Sequence, residues 1–145
     1  MDISASYAFS APPETVWALL NDPVVIAACL PGCEGLESIG EDRYRATLTL
    51  AIAAISGRYT GTVAMLDKAP PHSYRLVIEG DGKAGFIKGE ATIHLVPEGG
   101  GTLVNVSGRG EVGGLIARVG QRLIGGVTRS MTDRFFSCVQ TKANA

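Results

Sequence analysis

Gly108-Arg109-Gly110-Glu111-Val112-Gly113 spells G-x-G-x-x-G between a stretch that reads as strand and one that reads as helix. In that setting such a run cradles a dinucleotide pyrophosphate. The rest of the unit is missing: a dinucleotide fold needs a further parallel strand with an acid for the ribose, and here the acid at suitable spacing, Asp133, sits on the helix itself. Gly80-Asp81-Gly82-Lys83-Ala84-Gly85 matches the same pattern and leads into a strand, so a chain of 145 residues with 19 glycines produces the pattern cheaply. Cys29-x-x-x-Cys33 has the wrong spacing for a zinc knuckle, and His72 and His94 are the only imidazoles, so neither a metal nor a cofactor is expected. His94 shares the polar parity of Glu90 and Thr92, and His72 follows Pro70-Pro71; neither is placed as a general base, and no catalytic residue is assigned.

The remaining chemistry is charge. Arg118, Arg122 and Arg129, with Arg134 beyond them, form a basic stripe on the exposed side of the predicted last helix. Such a stripe is usually a solvated face, and it also suits an acidic partner surface or anionic lipid headgroups. Thirteen basic against fourteen acidic residues leave a net charge of -1, which offers no field to draw in a nucleic acid. No apolar run approaches the roughly 20 residues of a spanning helix. The start, Met1-Asp2-Ile3-Ser4, lacks a basic and then apolar leader. A protein neither exported nor membrane-spanning is expected. Three cysteines, Cys29, Cys33 and Cys138, argue against a disulfide framework and fit a reducing cytoplasm, with Cys29 read as a small buried hydrophobe.

These residues need elements to hold them. A 46% hydrophobic, 19% charged chain of this length is globular, and the reading is a single domain over residues 1–145. Ile3, Ala5, Tyr7 and Phe9 alternate with polar or small residues, the period of a half-buried strand. Pro12-Pro13-Glu14 opens a short helix through Leu20, Asn21-Asp22-Pro23 restarts a second, and Pro31-Gly32 stops it. From Cys33 to Arg109 nearly everything reads as strand, with turns near Gly40, Gly57, Pro70-Pro71, Gly80 to Gly82 and Gly99 to Gly101. Val112, Ile116, Val119, Leu123, Val127, Met131 and Phe135 then fall on one face of a helix from Val112 to Gln140. Trp17 and Phe135-Phe136 read as core anchors. Consecutive strands without intervening helices imply an antiparallel sheet, so the class is α+β with one long helix packed across it.

Glycine is the anomaly. Gly113, Gly114, Gly120, Gly125 and Gly126 fall at the start of or inside the predicted helix, where each interior one costs about 1 kcal/mol relative to alanine. Gly120 lies on its apolar stripe, and Gly61 and Gly89 lie on the inward parity of their strands. Two explanations stay open: close backbone approach, or an apolar cavity that a ligand fills.

Asn21-Asp22-Pro23 followed by Ala27-Ala28-Cys29-Leu30-Pro31-Gly32-Cys33-Glu34 resembles the leading signature of the CoxG family of carbon monoxide dehydrogenase subunits, an N-D-P-x-x-x-A-x-C-x-P-G-C-E run. Ala84-Gly85-Phe86-Ile87-Lys88-Gly89-Glu90-Ala91 is similar to its second signature, and Val112-Gly113-Gly114 with Gly120, Arg122, Leu123 and Ile124 to its third. The likeness spans essentially the whole chain. It implies the helix-grip fold of the SRPBCC or START-like superfamily, a curved antiparallel sheet wrapped around a long C-terminal helix with an apolar pocket between. It further implies a non-enzymatic accessory role beside molybdenum hydroxylases of the carbon monoxide dehydrogenase type. Many relatives continue into an anchoring tail, whereas this sequence stops at Thr141-Lys142-Ala143-Asn144-Ala145, so at most peripheral membrane contact is expected.

The resulting expectation is a cytoplasmic carrier, in contact at most with the inner face of the membrane, as monomer or homodimer. It binds a hydrophobic small molecule, with an isoprenoid quinone as the specific candidate. Its partners are subunits of a molybdenum hydroxylase, gripped by Arg118, Arg122 and Arg129. From the sheet we expect Leu50, Ile52, Tyr59, Met65, Leu76, Ile78, Phe86 and Ile93 as lining, with Tyr59 the hydrogen-bond donor. From the last helix we expect Val119, Gly120, Leu123, Val127 and Met131, with the glycine-rich Gly80 to Gly85 turn as a lid. An enzyme of the cyclase or hydratase type and an interaction module with a filled core are the alternatives.

Overall fold

The structure, a computed structural model, describes residues 2–51 and 55–144. Strand β1 (Asp2–Phe9) is followed by two short helices, α1 (Pro13–Leu20) and α2 (Pro23–Cys29). Glu14 sits in the first turn of α1, where the helix dipole favours a carboxylate. The Asp22 carboxylate caps α2 by accepting from the Val24 N–H at 2.9 Å, ahead of a proline whose missing N–H costs nothing at that position.

Six strands follow: β2 (Cys33–Gly40), β3 (Arg43–Leu50), β4 (Gly57–Ala69), β5 (Ser73–Gly82), β6 (Gly85–Glu98) and β7 (Gly101–Gly113). All neighbours are antiparallel, and the sheet order β1-β7-β6-β5-β4-β3-β2 puts the first strand beside the last and β5 in the middle. The chain closes with α3 (Leu115–Arg118) and α4 (Gln121–Ala143).

The expected helix from Val112 is corrected here. Residues 108–113 complete β7, because β6 is long enough to pair with them down to Phe86 opposite Gly113. Gly114 (φ 74°) then ends the strand, and Gly120 (φ 95°) separates α3 from α4. Gly120 is therefore a break and not a member of an apolar stripe: a left-handed backbone, open to glycine without penalty, stops one helix and starts another. Both G-x-G-x-x-G runs lie largely in paired strand, which leaves no phosphate loop.

Helix α4 lies against β1, α1 and α2. Its C-terminal half joins the main core, in which Phe136 and Val139 meet Phe9, Val16, Leu20, Ile26, Tyr74, Ile93 and Val104. A second, separate cluster of Ile55, Tyr59, Ile116 and Ile124 closes the other end.

The cysteine reading is also corrected. Cys29, the last residue of α2, forms a disulfide with Cys138 of α4, with Cα atoms 5.4 Å apart and a sequence separation of 109. Two elements remote in the chain meet there, which no spacing rule reveals. Cys33 is the free cysteine. The cysteine count therefore no longer argues for a reducing compartment.

Candidate functional site: a groove between the sheet and the last helix

Strand register puts two inward rows across the space between the core clusters. Ile3, Gly108, Ala91, Leu76 and Met65 face one another in succession from β1 to β4. The next row runs Gly110, Gly89, Ile78, Val63 and Tyr44. Ile78 shares its face with the buried Tyr74, on the middle strand of the sheet, yet it is 40% exposed. An apolar side chain in that position is exposed only if nothing covers it.

The glycines explain why, and they divide between the two explanations. A Cβ on Gly61 would collide with the Glu79 carbonyl and one on Gly108 with the Glu90 carbonyl, so these two permit close strand approach. Above Gly80 and Gly89 a Cβ would meet only neighbouring-strand atoms, at 3.6 Å and 3.4 Å respectively, with nothing from α4 in contact. On the helix, a Cβ at Gly125 would touch nothing within 4 Å. The Thr128 hydroxyl donates to the Ile124 carbonyl at 2.9 Å and the Thr132 hydroxyl to the Thr128 carbonyl at 2.7 Å. Both hydroxyls thus bond their own helix.

One end of the groove is shut. The Ile116 N–H donates to the Ala84 carbonyl at 2.7 Å, pinning the β5–β6 turn to α3, so the turn expected to act as a lid is tied down. The other end opens between β1 and α4, where a cavity of about 290 Å³ is lined by Asp2, Ile3, Ser4, Gly125, Thr128 and Arg129. Tyr7, Asp133 and Arg129 bridge strand and helix beside it. The Tyr7 hydroxyl donates to Asp133 Oδ1 at 2.6 Å. Arg129 Nε donates to the same oxygen at 3.2 Å, and its Nη1 to the Ser4 carbonyl at 3.4 Å. Burial first, then the hydrogen bond to Asp133, pushes the Tyr7 pKa well above the ordinary tyrosine value. Burial alone does the same to Tyr74 and raises Tyr59.

The structure places the expected lining residues unevenly. Met65 and Ile93 are buried in the main core with Leu76 against it. Tyr59 is in the second cluster, with Leu50, Val119 and Val127 packed on it. Ile78, Leu123 and Met131 belong to neither cluster, and Leu123 is 37% exposed. Ile52 lies outside the described residues. Phe86 is corrected: it shares the outer parity with Lys88, its ring covers Gly113, and Lys88 Nζ stands 5.8 Å from the ring centroid. Tyr59 is corrected as a donor, because its hydroxyl already donates to the Ile55 carbonyl at 2.6 Å. Sequence reading named Gly125 as an anomalous helix glycine but not as lining, and did not single out Thr128; Arg129, expected on the exposed basic stripe, is 56% exposed and also borders this opening. Arg118 and Arg122 are exposed, but Gly120 puts them on different helices.

A larger depression of about 470 Å³ lies where Asp2, Ser4, Arg75, Glu90, Thr92, Ser107 and Arg109 project from the opposite face of the sheet. Its side chains are mainly polar, with Arg75 and Glu90 3.6 Å apart, so despite its size it does not suit an apolar ligand. His72 and His94 are exposed. Among the described residues no group of His, Cys, Asp and Glu is placed to hold a metal ion, and no helix is long and apolar enough to cross a membrane.

The profile of the CoxG family of carbon monoxide dehydrogenase subunits matches residues 6–144. A conserved protein from Geobacillus kaustophilus has the same structure with a TM-score of 0.96 at 36% identity, covering 99% of this chain and 95% of that one. A START superfamily protein from Mycobacterium smegmatis superposes with a TM-score of 0.79 at 16% identity, over 99% of this chain and 97% of that one. A Chromobacterium violaceum protein does so with a TM-score of 0.74 at 19% identity, over 99% and 98% of the two chains. These last two show the fold, which is START-like. No curated protein sequence matches the chain.

Proposed function

The chain belongs to the CoxG family of carbon monoxide dehydrogenase subunits, and from that premise we propose that it is a non-enzymatic accessory protein that carries a hydrophobic small molecule in the groove between sheet and α4. The observation that carries this reading is the exposure of Ile78 at the centre of the sheet, together with the opening between β1 and α4 that Gly125 and Thr128 line. An apolar tail laid over Ile78, Leu76 and Met131 is stabilised by about 25 cal/mol for each Å² it loses to water. A tail burying roughly 300 Å² gains about 7.5 kcal/mol before the cost of association, enough for useful binding without a charged anchor.

The partner in this proposal is a molybdenum hydroxylase of the carbon monoxide dehydrogenase type, and the cargo an isoprenoid quinone, which would link such an enzyme to a membrane electron pool. Arg118 and Arg122 remain the proposed contact for the enzyme, since both are exposed. The site of action is the cytoplasm, at or near the membrane face.

Native mass spectrometry of protein purified from its own host, followed by organic extraction, tests the carrier. A discrete apolar adduct is expected. A bare chain that still co-purifies with a molybdenum hydroxylase would remove the carrier and leave an interaction module.

A further inference from the structure

We infer that the β1–α4 opening is the portal of the groove and that Arg129 reads the polar end of the cargo, selecting an uncharged hydrogen-bond acceptor over a carboxylate. This deepens the carrier reading and rests on it.

The path is set by the strand register. From the 290 Å³ cavity, the inward floor passes Ile3, Gly108 and Ala91 to Leu76, and in the next row Gly110 and Gly89 lead to Ile78. A tail sliding along these residues meets glycine and alanine first and larger apolar side chains after. The far end is shut by the Ile116–Ala84 bond and the second core cluster. A molecule with one polar end must therefore leave that end at the portal, where water and polar groups can satisfy it.

The portal's chemistry decides which polar end fits. Arg129 is held by Asp133 through Nε and by the Ser4 carbonyl through Nη1, which leaves Nη2 without a partner among the described residues. Its orientation is fixed before any ligand arrives. Its charge is already matched by Asp133. A carboxylate ligand would face Asp133 beside a guanidinium whose charge that residue already balances, whereas a ketone, ester or quinone oxygen needs only the donor that Nη2 supplies.

The test is calorimetric titration with three probes of one medium chain length: a methyl ketone, a fatty carboxylate and a terminal alkene. At about pH 8, where the carboxylate is ionised, the ketone should bind about tenfold more tightly than the carboxylate. Arg129→Met should weaken ketone binding by about tenfold and leave the alkene unchanged, a difference that general loosening of α4 would not produce. Tighter binding of the carboxylate, or equal loss of ketone and alkene in the variant, overturns the role of Arg129 while the groove stands. Failure of all three probes to bind overturns the carrier and this inference with it.

Discussion

The Tyr7 hydroxyl and the Asp133 carboxylate, 2.6 Å apart, join the edge strand to the helix that roofs the groove, and Tyr7 also stacks on Phe136 at 4.4 Å between ring centroids. A hydrogen bond to a charged acceptor contributes about 1.5–3 kcal/mol. Tyr7→Phe keeps the stack and removes that bond, so chemical denaturation should show a loss within this range. A loss below about 0.5 kcal/mol would mean that water replaces the hydroxyl without cost.

The same residue predicts an alkaline limit. Its pKa is raised in the folded state above the 10.0 of a free tyrosine, so the folded protein holds the proton more tightly. Stability is then fully present below about pH 10 and falls as pH rises beyond it, since there the folded state binds more protons than the unfolded one. Tyr74, raised by burial, acts with the same sign. Urea midpoints measured from neutral to strongly alkaline pH should decline above that point, and the decline should be shallower in Tyr7→Phe.

Gly125→Leu separates fold from binding. The new Cβ has no atom of another element within 4 Å and the substitution replaces a glycine inside a helix, so the variant should gain about 1 kcal/mol. Displacement of a fluorescent apolar probe should show that uptake is lost. Uptake equal to the parent protein would place the ligand elsewhere.

The sheet glycines should differ sharply. Gly61→Ala forces a Cβ against the Glu79 carbonyl, whereas at Gly89 the nearest atom is 3.4 Å away. We expect a loss of about 2–3 kcal/mol for the first and under about 1 kcal/mol for the second in urea denaturation. Equal effects would mean that the strands shift freely at both places.

Thiol counting tests the bridge. Unfolded protein kept from reductant should show one reactive thiol, that of Cys33. Reduction of Cys29–Cys138 should cost roughly 2–4 kcal/mol, because the bridge closes a long loop and restricts the unfolded chain. Three reactive thiols before reduction would disprove the pairing.

Much of the fold was legible because its signals are local. Alternation at Ile3 to Phe9, the Asp22-Pro23 helix start and the turns at Gly40 and Pro70-Pro71 each depend on a few adjacent residues, and the elements appear there. The last helix was misjudged at its start because Val112 and Ile116 fit a helical stripe, while the pairing of Val112 with Ile87 depends on how far β6 extends. Ile78 and Met131 could be proposed as lining from parity and spacing. Gly125 and Thr128 could not, because their importance lies in facing an edge strand more than 120 residues earlier in the chain.

The sequence by itself determined the order of the elements, the apolar inner face, the excess of glycine and the family. The first two follow from periodicity and turn chemistry, which act between neighbours along the chain, the glycine excess from composition, and the family from the resemblance of its signature runs. Tertiary structure alone decided which glycines permit strand contact and which leave space, that Cys29 meets Cys138, and that Arg129 is held over an opening by Asp133 and Ser4. Apart from the Arg129–Asp133 pair, one helical turn apart, those are distances between residues far apart in sequence, set by how a twisted sheet and a helix pack, and no local pattern encodes them.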